Sequence, residues 1–207
     1  MTTERVIVGI SGASGAALGV RIVERLAGLP RIETHLVVSD AARRTLALEC
    51  GPDALNRLIS LTQHHPIGDI GACLASGSFS VHGMIVAPCS MQTLSSIATG
   101  RTDTLLTRAA DVQLKERRRL VLLARETPLH LGHLRSMVAA TEMGAIIMPP
   151  VPAFYHCPSS VAEIIDHLAA RAIDLLALSH PLLAKSWQGT RQEFARPAQD
   201  AASLMQA

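Results

Sequence analysis

Five short aliphatic runs, at residues 5–10, 33–38, 83–87, 120–124 and 145–148, alternate with stretches of helical spacing. That alternation constrains the fold more than any other feature of the chain. Short apolar runs read as strands buried on both faces, and helices must then cover both faces. Helical spacing occurs at 17–26, 41–48, 91–98, 103–117, 130–142 and 161–178. Leu18, Ile22 and Leu26 form one stripe of the first helix, and capping residues precede several others: Ser39-Asp40, Ser90, Thr102-Asp103 and Ser159-Ser160. The expectation is an α/β protein, a three-layer αβα Rossmann-like or flavodoxin-like fold with a parallel sheet in the order 2-1-3-4-5. The 207 residues suffice for one such domain, assigned to 1–180, with 181–207 as a C-terminal arm or tail. Residues 61–82 form one long irregular stretch, a length that compact domains keep for function.

Composition removes several classes. Hydrophobic residues make up 48% and charged residues 17%, which fits a packed core rather than disorder. A net charge of +2, with three Phe, one Tyr and one Trp, argues against a nucleic-acid partner. The longest apolar stretches fall well short of the ~20 residues of a membrane span, and the N-terminus lacks the apolar core of a secretory signal. Cys50, Cys73, Cys89 and Cys157 make no CxxC pair, so a cytoplasmic chain with reduced thiols is expected. Nine histidines contain no HExxH, and the spacing predicts no metal. Low charge and a mean hydropathy of +0.28 predict surface hidden between copies, hence a homo-oligomer.

In this architecture ligands bind beyond the carboxyl ends of the strands, where strand order reverses. That point lies between the first and third predicted strands. The first ends in Gly9-Ile10-Ser11-Gly12-Ala13-Ser14-Gly15, the third in Pro88-Cys89-Ser90-Met91-Gln92-Thr93, and each opens into a helix. Two small hydroxyl-bearing loops at helix N-termini suit a phosphate. The first loop is neither a Walker A motif nor GxGxxG, and Asp40 reads as a helix cap rather than a ribose ligand, so a single-phosphate ligand such as FMN fits best. Arg125-Glu126-Thr127-Pro128 reaches the same edge with a phosphate clamp and a proton-transfer group, Pro128 falling early in the next helix. The proline-stiffened loop at 149–156 brings Phe154 and Tyr155 there too. Cys89 reads as a small buried thiol, and Lys115-Glu116-Arg117-Arg118-Arg119 as a solvated helix end.

These residues together resemble the UbiX/Pad family of flavin prenyltransferases, from about Arg5 to Leu178. The likeness rests on Gly9–Gly15, Ala75-Ser76-Gly77-Ser78-Phe79, Ala87-Pro88-Cys89-Ser90-Met91 with Thr93-Leu94, and Arg108-Ala109-Ala110-Asp111-Val112. It continues through Leu114-Lys115-Glu116-Arg117-Arg118, Arg125-Glu126-Thr127-Pro128-Leu129 and the prolines before Ala153-Phe154-Tyr155. The resemblance implies a homododecameric, metal-independent enzyme that joins reduced FMN, at N5 and C6, to a dimethylallyl group from dimethylallyl phosphate or pyrophosphate. Prenylated FMN would then serve a UbiD-type decarboxylase. It implies that Gly12, Ala13, Ser14, Ser39, Ser90, Met91, Gln92, Thr93 and Arg125 hold FMN. Tyr155 and Arg171 would hold the prenyl phosphate, with Arg108 and Lys115 reaching it from a neighbouring subunit in place of a solvated role. Ser14, Glu49 and Glu126, with Arg108 and Lys115, would form the catalytic set, Glu126 and Glu49 managing protons. The chain departs from the family at Ile70-Gly71-Ala72, where some members carry a Trp, and at Ser136 and Cys157. Two other readings use the same crevice. One is a non-catalytic FMN carrier or chaperone subunit of a hydroxyarylic acid decarboxylase system. The other, an oxidative decarboxylase of a peptidyl-cysteine, is disfavoured because no His lies between Ser11 and Pro30.

Overall fold

A computed structural model describes residues 3–189. Six parallel strands form one sheet: β1 (Glu4–Ile10), β2 (Ile32–Val38), β3 (Gln63–His65), β4 (Gly83–Cys89), β5 (Arg119–Ala124) and β6 (Ile146–Ile147). Their order is β3-β2-β1-β4-β5-β6. The expected five-strand order is present inside it. The addition is β3, which pairs with β2 from His35↔Gln63 to Val37↔His65 and lies in the stretch read as irregular. Three polar residues on an edge carry no hydrophobic alternation, and a short polar edge strand deters pairing with other chains.

The central strand β4 is buried at all seven positions, as a strand covered on both faces must be. Alternation along β1 divides the core. Val6, Val8 and Ile10 pack with α1 (Ala16–Ala27), α2 (Asp40–Cys50), α3 (Ala54–Ser60) and α7 (Val161–Asp174) on one face. Ile7 and Met84 pack with α4 (Met91–Ala98), α5 (Leu105–Lys115) and α6 (Leu131–Glu142) on the other. Asp166 on α7 accepts from Arg21 Nε at 2.6 Å and from Arg25 Nε at 2.8 Å, fastening α7 to α1.

Several boundaries move for local reasons. The cap of α5 is Thr104, not Thr102-Asp103, because Thr104 and Thr107 cap each other reciprocally. Pro128 stands outside α6, which begins after His130, whose Nδ1 accepts from the Gly132 amide at 3.0 Å. Ser39 rather than Asp40 caps α2. Helix α7 stops at Asp174, short of 178, and Ala177 takes a left-handed φ of 53°. Prolines 149 and 150 end β6 after two residues, since proline has no amide to give a ladder.

Candidate functional site

The three turns singled out in the sequence meet at the carboxyl edge of the sheet. A cleft of about 460 Å³ is lined by Gly12 from the first, Ser90, Met91, Gln92 and Thr93 from the second, and Glu126 from the third. Ser39, the cap of α2, lines it as well. Ser11 staples the first two turns together. Its buried hydroxyl donates to the Pro88 carbonyl at 2.8 Å and accepts from the Ser90 amide at 2.7 Å. The Arg125 amide donates to the Cys89 carbonyl at 3.0 Å, bringing the third turn alongside.

Three helix N-termini open on this cleft. Ser39 Oγ accepts from the Ala42 amide at 3.1 Å on α2, and Ser90 Oγ from the Thr93 amide at 3.2 Å on α4. Thr104 and Thr107 at the start of α5 line the cleft too, an N-terminus that sequence reasoning did not bring to the site. Partial positive charge from three helix ends favours an anion. At Gly12 an added Cβ would collide with the Ala41 Cβ, so glycine is what lets the first turn lie against α2.

The N-terminus of α1 is different from the phosphate cradle expected there. Glu49 Oε2 accepts from the amides of Gly15 at 2.9 Å and Ala16 at 2.8 Å, so a protein carboxylate already takes up those two donors. Burial pushes the Glu49 carboxyl up. Hydrogen bonds from Ser14 and from the two amides, with the charge of Arg125, outweigh that and hold it below the usual carboxylate range. Ser14, Glu49 and Arg125 thus form one charged group beside the cleft, with Ala13 in the same turn.

Tyr155 and Arg171 lie in a second cavity, about 370 Å³, that shares no lining residue with the first. Tyr155 stands in a short turn, Phe154–His156, and Arg171 on α7. Met148, Pro149, Val151 and Ala153 form one further wall, and residues 182–187, in the stretch expected to be a tail, form another. Asp174 accepts from the amides of Leu183 at 2.7 Å and Ala184 at 2.9 Å, which folds this stretch back onto α7. Trp187 then meets Tyr155 edge to face, ring centroids 5.0 Å apart. Lys185 and Trp187 therefore line a cavity in which sequence reasoning placed neither; a lone tryptophan in a polar tail was the available signal. Residues 190–207 of that tail lie outside the described residues. Burial, then the charges of His156 and Arg171, push His167 below its ordinary value in the same cavity. Among the described residues, neither Arg171 nor Lys185 has a carboxylate oxygen within 4.0 Å. With Met148, Val151 and Leu182 beside those cations, the cavity suits a small anion that carries an apolar group.

Arg108 and Lys115 line neither cavity of their own chain. Arg108 donates through Nε to the Ala75 carbonyl at 3.2 Å and pairs with Asp111 at 2.8 Å, while Lys115 pairs with Glu116. Cys89 is fully buried, and burial pushes its thiol up to about 12, so it is no nucleophile at neutral pH. Asp40, Ile67, Ser96, Arg101 and Asp103 also line the first cleft without having been foreseen in it.

A model of the Flavoprotein family matches residues 1–172. The protein called flavin prenyltransferase UbiX in Escherichia coli strain K12 is 55% identical over 189 residues, 90% of this chain and 99% of that protein. The crystal structure of AnUbiX in complex with FMN and dimethylallyl pyrophosphate superposes with a TM-score of 0.86 at 45% identity, covering 91% of this chain and 99% of that one. A dodecameric FMN-dependent UbiX-like decarboxylase from Escherichia coli O157:H7 superposes with a TM-score of 0.84 at 47% identity, covering 89% of this chain and all of that one.

Proposed function

Because the chain belongs to the Flavoprotein family, and within it to the UbiX flavin prenyltransferases, we propose that it transfers a dimethylallyl group from dimethylallyl phosphate or pyrophosphate to reduced FMN. The observation that carries this reading is a pair of cavities with different chemistry. One is ringed by helix N-termini and lined by Glu126, Asp40 and Asp103; the other sets unpaired cations beside apolar walls.

The first cleft fits FMN. Gly12 leaves room against Ala41, and Ser39, Ser90, Gln92 and Thr93 offer donors at helix ends. Gly12, Ala13, Ser14, Ser39, Ser90, Met91, Gln92, Thr93 and Arg125 hold the flavin in this reading. When bound, reduced flavin supplies electron-rich ring atoms, N5 and then C6, to which the allyl group is joined. The protein's part is electrostatic. Arg171, Lys185 and the Tyr155 hydroxyl stabilise negative charge on the departing phosphate, work that fixed cations can do without a metal ion. Arg108 and Lys115 of a neighbouring subunit complete that clamp. The Glu126 carboxylate accepts the proton released on ring closure, with Ser14 and Glu49 as the adjoining hydrogen-bonded pair. Excluding water protects the cationic allyl group from quenching.

An exposed apolar face supports the same reading. Helix α6 buries only Ala140, while Leu131, Leu134 and Val138 are exposed on it, an apolar face that copies of the chain would cover in a homododecamer. The product is prenylated FMN for a UbiD-type decarboxylase, made in the cytoplasm. Among the described residues no helix is long and apolar enough to cross a membrane, and all four cysteines are unpaired.

Anaerobic incubation with reduced FMN and either donor, followed by mass spectrometry of the extracted flavin, tests the reading. A flavin heavier by one dimethylallyl unit is expected. Bound flavin of unchanged mass with both donors would overturn it in favour of an FMN carrier.

A further inference from the structure

Outside the lining of both cavities, one ligand atom from each of His35, His65 and Cys73 lies within 4.8 Å of the others. His35 sits on β2, buried on the side of the sheet that carries Val37. Its Nδ1 is 3.0 Å from Nε2 of His65 on the edge strand β3. Cys73 opens the short turn Cys73–Ala75 and is exposed. We propose that these three side chains bind one thiophilic divalent cation of the zinc class, with the fourth position open to water.

Two imidazole nitrogens and a thiolate suit zinc-like ions and not magnesium or calcium, which require oxygen. Zinc–nitrogen bonds of about 2.0–2.1 Å hold tetrahedral nitrogen ligands a little over 3 Å apart. The two rings already stand near that separation.

The surroundings favour ligation over a simple hydrogen bond between imidazoles. The other ring nitrogen of His35, Nε2, is 3.2 Å from Oε1 of Glu33. Glu33 is itself fixed by Arg5 Nε at 3.1 Å and by Gln63 Nε2 at 2.8 Å. The His35 Nε2 atom is buried without a hydrogen bond, so Glu33 acts on it by charge, which favours a proton on Nε2 and leaves the Nδ1 lone pair free to ligate. Phe79 closes one side, its ring edge-on to His35 with centroids 5.4 Å apart. Burial pushes both His35 and His65 below their ordinary values. Cation binding displaces the Cys73 thiol proton to solvent as the sulfur–metal bond forms.

The site joins β2, β3 and the turn at 73–75, elements that only the fold brings together: His65 is 30 positions after His35, and Cys73 eight further on. The segment so clipped also carries Ile67, which lines the first cleft and whose carbonyl accepts from the Leu105 amide at 2.8 Å. A bound cation would stiffen that wall.

The full-length protein, stripped with chelator and without flavin, is titrated anaerobically with Co(II) and then with Zn(II). One equivalent of Co(II) should give a thiolate-to-metal charge-transfer band and tetrahedral ligand-field bands, both abolished by Zn(II), and Zn(II) should raise the melting temperature. Cys73→Ser should remove the charge-transfer band and the thermal shift. Glu33→Gln should weaken affinity by about 10–100-fold while keeping the spectrum. Cys157→Ser, at another exposed thiol, should change nothing. Absence of a thiolate band in the parent protein, or a band that survives Cys73→Ser, would overturn the proposal.

Discussion

The cleft at Gly12 and the cavity at Tyr155 share no lining residue and are built in opposite ways. Much of the first is made of the ends of regular elements, with Ile67 and Arg101 added from the loops between them. Ser39, Ser90 and Thr104 each cap a helix, and the capping hydroxyl is fixed by that helix's own amide. The second is walled by one helix, α7, by the loop at 148–153 with the short turn Phe154–His156, and by chain with no regular structure at 182–187. Two amide bonds to Asp174, the packing of Leu183 against the core and the Tyr155–Trp187 contact hold its outer wall. A site made of helix ends is positioned by the core, as suits a large ligand gripped at many points. A site made of a folded-back segment can adapt to a smaller one. The two should therefore fail separately when altered.

The largest effect is expected at Glu126. Glu126→Gln should lower kcat by about 10²–10⁴-fold, the range for loss of a general base, with FMN affinity retained. A variant that loses FMN binding in step with turnover would make Glu126 a binding residue and remove it from the chemistry. At Gly12, Gly12→Ala must push α2 away, because the Ala41 methyl cannot swing aside. It should cost about 1–3 kcal/mol of stability, read as a thermal melt, and weaken FMN far more than the prenyl donor. Tyr155→Phe sharpens the contrast from the other side. Loss of one hydroxyl should raise KM for dimethylallyl phosphate about two- to tenfold and leave FMN affinity unchanged. The smallest effect concerns Glu49, whose folded carboxyl is held below its ordinary value of 4.5. Its contribution is present above that value and is lost as pH falls through the folded value. The melting-temperature difference between the parent protein and Glu49→Gln should thus close toward acid pH. A difference that ignores pH would mean the charge of Glu49 does not tie down α1.

The same contrast governs what can be read from the residues alone. Strands buried on both faces announce themselves, as Val6–Ile10 and Met84–Ala87 do, and helix caps such as Ser90 are local signals. The first cleft was therefore legible through two of its turns and Glu126. Its third helix end was not, because Thr104 is marked only by reciprocal capping with Thr107, which resembles any hydroxyl-rich loop. Glu49 entered only through family resemblance; nothing in its own neighbourhood tells that it reaches back to the Gly15 and Ala16 amides. Strand β3 and helix α3 are three and seven residues long, too short for a periodic signal. Lys185 and Trp187 were read as tail because what folds them back, a carboxylate ten residues earlier accepting backbone amides, leaves no pattern in side-chain chemistry.

The division of labour between the two cavities is tested most directly on Arg171→Ala, by measuring FMN affinity and the mass of the flavin after anaerobic turnover on the same preparation. Undiminished FMN binding is expected, with the prenylated flavin absent or recovered only at much higher donor concentration. Loss of FMN binding in this variant, or full product formation at ordinary donor concentration, would contradict the assignment of the prenyl phosphate to the second cavity.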